Sequence, residues 1–107
     1  ARQKYFAMSE TLTEFYIRLY LARKGIRYDY LDNFIEDLQS RYKIIIVKSS
    51  SVEPILKTMK INLKAQEYSN NKKAFVDLLN SINCLIKLSD SGYVVTLPEE
   101  KGAFKLI

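Results

Sequence analysis

The sequence contains no histidine and a single cysteine, Cys84. Without histidine, most zinc sites and every serine–histidine or cysteine–histidine nucleophile pair are excluded. One cysteine cannot form an internal disulfide, so we expect an intracellular protein, either cytoplasmic or nucleoid-associated. Because Cys84 lies in the apolar stretch NCLIKL, the pattern favours a buried side chain over a reactive thiol.

Glycine-rich loops and long apolar runs are also missing. The chain has only three glycines, and they form no phosphate-binding loop. No apolar run approaches the roughly 20 residues that cross a bilayer, and the first residues lack a signal-peptide pattern. We therefore predict that the chain is not an enzyme, uses no metal or cofactor, and does not enter a membrane.

The remaining composition is that of one ordinary domain. The chain has 107 residues, of which 48% are hydrophobic, and this is enough to bury a core without disulfides or metals. We therefore predict a single domain over residues 1–107. Because the chain starts at Ala1 instead of a methionine and ends in AFKLI, we expect it to be excised from a larger protein.

Positive charge is concentrated in one part of the chain. The net charge is +5, and the window 43–88 holds eight lysines against three acidic residues. A localised basic excess is typical of a face that binds nucleic acid, although many surfaces that bind nothing also carry one.

Two amphipathic helices are predicted in the N-terminal half. In the first, Thr11 is expected to cap the helix with Glu14 three residues later, and Gly25 to end it. The second is expected to begin at Asp29. The predicted inner face of the first helix is Leu12, Phe15, Tyr16, Leu19 and Ala22, and that of the second is Leu31, Phe34, Ile35, Leu38 and Tyr42.

A strand, two helices and a hairpin are predicted next. KIIIV, residues 43–47, is typical of a short buried strand. Ser51 is expected to cap the helix VEPILKTM, and Ser69 to cap a helix over about 70–82 that ends at Asn83. CLIKL and YVVTL flank the turn SDSG as a β-hairpin, and the turn PEEKG is expected to return AFKLI as a further strand. The core face of the last helix is predicted to be Phe75, Leu78, Leu79 and Ile82.

This order of elements resembles the winged helix-turn-helix fold over about residues 43–97. KIIIV corresponds to the first strand, VEPILKTM to the positioning helix, NNKKAFVDLLNSIN to the recognition helix, and CLIKLSDSGYVVTL to the wing. The fold class is then α+β and mainly helical, with two N-terminal helices, a short strand, two helices and a C-terminal hairpin. The resemblance implies a small regulator or a part of a DNA-processing complex.

The residues themselves favour double-stranded DNA bound mainly through its phosphates. Asparagine can pair with an adenine edge and lysine can reach a phosphate, whereas Asp77 on the same helix repels the backbone. No arginine follows Arg41, so bidentate reading of guanine is not expected. The candidate nucleic-acid-binding residues are Lys57, Lys60, Lys64, Asn70, Asn71, Lys72, Lys73, Asn80 and Lys87.

A protein-binding domain of the same shape is the alternative, because a fold does not fix a function. The acidic face of the second helix and Asp77 favour it, as do aromatic residues without a predicted place in the core, such as Tyr28 and Tyr30. The chain is also expected to be able to form a homodimer or to join a larger protein assembly. The first helix is apolar on more than one face, and such a helix must be buried in its own domain or against a second chain.

Overall fold

A computed structural model describes residues 9–44, 46, 54, 57–58, 65–89 and 92–102, with the side chains of 65–69 left out. Within these residues the fold is α+β and mainly helical, which confirms the predicted class. The elements, in chain order, are α1 (Glu10–Lys24), β1 (Tyr28–Tyr30), α2 (Leu31–Tyr42), α3 (Ala65–Ser81), β2 (Leu85–Lys87), β3 (Tyr93–Thr96) and α4 (Pro98–Lys101).

Helix α1 begins two residues earlier than predicted. Ser9, not Thr11, is the N-cap, and its Oγ accepts a hydrogen bond from the Leu12 N–H at 3.1 Å. The buried Thr13 also donates its hydroxyl to the Ser9 carbonyl at 2.8 Å, which favours the earlier start. The helix ends as predicted, because Gly25 adopts a left-handed φ of 68° that glycine reaches without a steric penalty.

The face of α1 that enters the core is only in part the predicted one, because Tyr16 alone of the predicted residues packs against the core. The buried residues are Thr13, Ile17, Tyr20 and Leu21. From the predicted inner face, Leu12, Phe15 and Leu19 are instead 39%, 55% and 40% exposed. Both faces are apolar at helical spacing, so the periodicity of the sequence cannot choose between them.

The strand β1 occupies the place where the second helix was expected to begin. Asp29 lies inside this strand, and α2 starts at Leu31 without a side-chain cap. The Asp29 carboxylate accepts hydrogen bonds from the Tyr20 hydroxyl at 2.6 Å and the Tyr30 N–H at 2.7 Å. Burial acts to raise the pKa of Asp29, but these bonds and one from Asn33 outweigh it and hold the pKa below its usual value. Asp29 therefore fastens β1 to α1.

The predicted strand KIIIV is wrong for the residues of it that are described. Lys43 ends α2 with a left-handed φ of 61°. Ile44 and the fully buried Ile46 belong to no strand. The Ile46 N–H instead donates to the Gln39 side-chain oxygen at 2.7 Å. A side chain on α2 thus replaces the sheet partner that the sequence pattern predicts.

Replacing Gln39 with leucine is expected to lower the free energy of unfolding by about 1–3 kcal/mol. Gln39 is fully buried, and leucine leaves the buried Ile46 N–H without its acceptor. Urea denaturation followed by circular dichroism measures the change. Ser40→Ala, at the exposed neighbouring position, is the control and is expected to stay within about 0.5 kcal/mol of the parent protein. An equal effect of both replacements would contradict the role given to Gln39.

The predicted end of helix α3 and the predicted hairpin agree with the structure, whereas the predicted start of α3 does not. α3 begins at Ala65, so Ser69 lies inside it and is not the predicted cap. The helix gives way at Asn83, whose left-handed φ of 61° confirms the predicted end. Strands β2 and β3 pair antiparallel as predicted, with Leu85 opposite Val95 and Lys87 opposite Tyr93.

The sheet has three antiparallel strands in the order β1-β3-β2. Residues predicted as the turn PEEKG form α4, where Pro98 fits the first helical turn. Arg18 donates from α1 to both carboxylate oxygens of Glu99 on α4, at 2.6 and 3.1 Å. The Arg18 guanidinium thereby holds the pKa of Glu99 below its usual range. The predicted strand AFKLI and most of the predicted helix VEPILKTM lie outside the described residues.

The core lies where α1, α2 and α3 meet the sheet. The Phe34 ring is central, with its centroid 5.2 Å from that of Tyr20 and 6.1 Å from that of Phe75. Phe75 and Leu79 are fully buried, as predicted for α3. Among the residues described, the other fully buried hydrophobic ones are Ile17, Tyr20, Leu31, Ile35, Leu38, Ile46, Cys84 and Val95. Among the described residues, no helix has the length and apolar character needed to cross a membrane.

Candidate nucleic-acid interface

Of the predicted site residues, six are exposed, one is buried and two lie outside the described part of the chain. Lys60 and Lys64 lie outside the described residues. Asn71 is only 5% exposed, and its Nδ2 has no hydrogen-bond partner in the part of the chain that the structure describes. It is therefore turned away from the surface. The exposed residues are Lys57, Asn70, Lys72, Lys73, Asn80 and Lys87.

Helix α3 presents its polar residues because its apolar residues anchor the opposite face. Phe75 and Leu79 are fully buried against the core, so residues on the far side of the helix meet solvent. Lys73, Asp77 and Asn80 follow one another at helical spacing and are all exposed. They form a polar ridge along α3.

Both lysines of α3 contact a carboxylate. Lys73 donates to Asp77 one turn later at 3.4 Å. Lys72 lies 3.9 Å from Asp32 at the start of α2. The side chains in both pairs are well exposed, from 45% for Lys72 to 87% for Asp32. Such surface pairs contribute at most about 1 kcal/mol, so an incoming phosphate can displace the carboxylates.

A pocket of about 300 Å³ connects α3 with the hairpin and α2. It is lined by Tyr30, Leu31, Asp32, Asn33, Lys72, Gly92 and Tyr93. Lys72 and the start of β3 therefore share one side of the molecule. Asp32, Asn33 and Gly92 were not among the predicted site residues, because contacts between distant elements leave no signal in the local sequence.

The hairpin adds a positioned cation to this side. Lys87 on β2 stands opposite Tyr93 on β3, and its Nζ lies 5.0 Å from the centre of the tyrosine ring. A cation over an aromatic face is attracted by the ring. No carboxylate lies within 4.0 Å of the Lys87 ammonium among the described residues.

Several basic residues away from α3 are engaged with acids on neighbouring elements. Arg23 on α1 reaches Asp37 on α2 at 2.7 Å, and Arg41 reaches the same oxygen at 3.3 Å. Lys24 lies 3.8 Å from Asp29. These contacts join α1 to α2 and β1, so that part of the positive charge outside the basic window serves the packing of the fold.

Histidine is absent from the sequence, and the single cysteine is buried. Burial raises the pKa of the Cys84 thiol to about 11, which keeps it neutral near pH 7. The side chain is fully buried, which confirms its predicted structural role. Within the described ranges, no group of three or more histidine, cysteine or acidic residues is arranged to hold a metal ion.

Comparisons with known proteins assign no relative to this chain. No protein-family model matches the sequence, and no match is found among curated proteins or solved structures. Arguments about function therefore rest on the geometry of the described residues.

Proposed function

We propose that the chain is a non-enzymatic module that binds double-stranded DNA, mainly through phosphate contacts of α3 and the β2–β3 hairpin. The observation that carries this proposal is the pocket in which Lys72 of α3 meets Gly92 and Tyr93 of the hairpin. It brings Lys72 in the middle of α3 and the strand opposite Lys87 to one side of the molecule. A helix and a hairpin that project together can follow a groove and its flanking phosphates.

The order of the elements supports a winged-helix arrangement with a different assignment from the predicted one. In this assignment β1 is the first strand, α2 the positioning helix, α3 the recognition helix and β2–β3 the wing. The central position of β3 between β1 and β2 supports it, because the wing then completes the sheet that the first strand begins.

The side chains of this surface favour contacts with phosphate over contacts with base edges. Lysine binds a phosphate as a point charge and lacks the fork of donors with which arginine reads guanine. Asp77 lies between Lys73 and Asn80 on the polar ridge, where it opposes a close approach of the helix to the phosphate backbone. We therefore propose weak sequence preference and a strong dependence on salt.

A salt titration tests the proposal. The described lysines of α3 and the hairpin are Lys72, Lys73 and Lys87. If all three neutralise phosphates, the logarithm of the association constant should fall with the logarithm of salt concentration with a slope of about −3. Fluorescence anisotropy with a labelled random duplex, repeated at several salt concentrations, measures the slope. Absence of binding at low salt by the folded protein would refute DNA binding by this chain.

A protein-binding module is the second candidate. The carboxylates of Asp32 and Asp77 beside the two α3 lysines favour it, because they already offset part of the positive charge. The exposed aromatic rings of Tyr28 and Tyr30 on the edge strand β1 also favour it. This function predicts a partner complex that persists at high salt and weakens when Tyr28 or Tyr30 is replaced with serine.

A further inference from the structure

The pocket between α2, α3 and the hairpin has the size and the lining of a small ligand site. Its volume of about 300 Å³ lies at the lower end of the range for such sites, roughly 300–1,000 Å³. Two tyrosines and a leucine line it: Tyr30 is 60% exposed, Tyr93 is half-buried and Leu31 is buried. Aromatic and aliphatic side chains around a small pocket favour a flat, ring-shaped ligand.

A carboxylate and an ammonium group stand side by side in this pocket. Asp32 and Lys72 both line it, and the Asp32 Oδ1 lies 3.9 Å from the Lys72 Nζ. The carboxylate offers two acceptor oxygens, and the ammonium offers three N–H donors, enough for a base and a neighbouring phosphate together. A ligand that satisfies both groups must therefore present hydrogen-bond donors next to an acceptor on one edge.

Guanine is the nucleobase whose Watson–Crick edge has this pattern. Its N1–H and N2–H donors are neighbours and match the two oxygens of one carboxylate, and its O6 acceptor, next to N1, matches the ammonium. Adenine and cytosine each present a single amino group on this edge, and thymine presents a single N–H. Each of these three bases offers the Asp32 carboxylate only one donor nitrogen, so the pair of Asp32 and Lys72 favours guanine.

Two charged ligands match the same groups less well. A phosphate is attracted by the Lys72 ammonium, but the Asp32 carboxylate repels it inside the pocket. An arginine side chain of a protein partner can bind a carboxylate and stack on tyrosine, but the Lys72 ammonium repels its positive charge. Guanine is neutral and carries donors as well as an acceptor, so neither charge in the pocket opposes it.

We propose that this pocket binds a single unpaired guanine base of a DNA strand. The base must be unpaired, because the edge that meets Asp32 and Lys72 is the one used for pairing in a duplex. This inference rests on the proposed function, in which α3 and the hairpin hold the phosphates of the adjoining duplex. The Lys87 Nζ, 5.0 Å from the centre of the Tyr93 ring, places a further positive charge beside one wall of the pocket, where the strand that carries the base must pass.

Four DNA duplexes that differ by one nucleotide test the pocket. One is blunt, and the others carry a single overhanging deoxyguanosine, deoxyinosine or deoxyadenosine. In fluorescence anisotropy at low salt, the guanine overhang should bind about tenfold tighter than the adenine overhang, as expected for hydrogen bonds to a charged group. Inosine should fall between them, because it lacks only the N2 amino group. The adenine overhang should still bind more tightly than the blunt duplex, because any base can stack on tyrosine.

Matched variants assign the preference to the pocket. Asp32→Asn should abolish the difference between guanine and adenine, because the amide replaces one acceptor oxygen with a donor. Glu36→Gln removes the same charge from an exposed residue one turn later on α2, outside the pocket, and it should keep the tenfold preference. Tyr30→Leu should reduce the gain from every overhang, whereas Tyr28→Leu, on the same strand but outside the pocket, should not. Circular dichroism confirms that each variant is folded.

The blunt duplex and the overhangs separate this inference from the proposed function. Equal affinity for the guanine and adenine overhangs, in a protein that binds the blunt duplex, would overturn the guanine pocket and leave DNA binding intact. A guanine preference that survives in folded Asp32→Asn would also overturn it, because another part of the chain would then recognise the base. Binding of the guanine overhang without any binding of the blunt duplex would support the pocket and refute the duplex surface. If none of the four duplexes binds, both proposals fail.

Discussion

Replacing Phe34 with alanine is expected to lower the free energy of unfolding by about 3–5 kcal/mol. Phe34 is fully buried, and its ring lies between Tyr20 on α1 and Phe75 on α3. The replacement opens a cavity where three helices meet, so the loss includes packing as well as the transfer of the ring to water. Small domains are typically stable by about 5–15 kcal/mol, and the variant should therefore lie close to its unfolding threshold.

Urea denaturation measured by circular dichroism gives the Phe34 effect. Phe34→Leu is the matched variant, because leucine keeps an apolar side chain in the same site. It should lose less stability than Phe34→Ala, since less volume is removed. A loss below about 1 kcal/mol for Phe34→Ala would show that the three helices do not meet on this ring.

Reversing the charges of Lys72 and Lys73 to glutamate is expected to weaken duplex binding by roughly 100-fold or more at low salt. Each lost charge-assisted contact to phosphate is worth about tenfold or more. The salt slope should also become shallower by about two, since two fewer phosphates are neutralised. Anisotropy with the random duplex used for the parent protein measures both changes.

The matched control reverses Lys24 and Arg27, which are exposed residues away from α3. Because these two residues contact Asp29 and Glu100, circular dichroism must first confirm that the control variant is folded. Both double variants lower the net charge from +5 to +1. The control therefore separates a local contact from a general effect of charge. If binding falls equally in the two double variants, the α3 surface has no special role and the chain attracts DNA only through its overall charge.

The features that the sequence predicts well are those held by nearby residues. Gly25 ends α1 and Asn83 lies just after the end of α3, and both adopt a left-handed backbone conformation. In this conformation the backbone N–H groups that follow the helix donate hydrogen bonds to its last carbonyls, so the signal lies in the local sequence. The β2–β3 hairpin forms across a short turn, so its strands are also visible in the local pattern. Fold class follows from these elements, since they already define helices beside an antiparallel pair.

The features that the sequence misses depend on distant contacts. β1 has only three residues, too few to show an alternating pattern, and it exists through pairing with β3. KIIIV has the composition of a strand, yet Gln39 supplies the hydrogen bond for Ile46. In α1 two apolar faces compete, and only the packing of Ile17 and Tyr20 reveals which one is buried.

Part of the candidate interface could be predicted because it depends on the local spacing of residues along α3. Lys73 and Asn80 lie exposed on the outer side of α3, and Lys72 is exposed on its flank, as the helical spacing predicts once Phe75 and Leu79 fix the inner side. The sequence predicts Asn71 as a binding residue, but its position on the helix turns it inward, and it is only 5% exposed. The approach of Asp32 to Lys72 joins the start of α2 to the middle of α3 and could not be read from either segment.

The position of β3 in the sheet sets the order in which the domain can assemble. β3 is the central strand, and its residue Thr96 donates its hydroxyl to the Arg27 carbonyl across 69 residues of sequence. The β2–β3 hairpin closes over a short loop, whereas β1 must wait for a strand near the C-terminal end. Closing such a long loop is slow. During synthesis α1 and α2 therefore leave the ribosome before the strand that completes their sheet, and their apolar faces stay open to chaperones until β3 emerges.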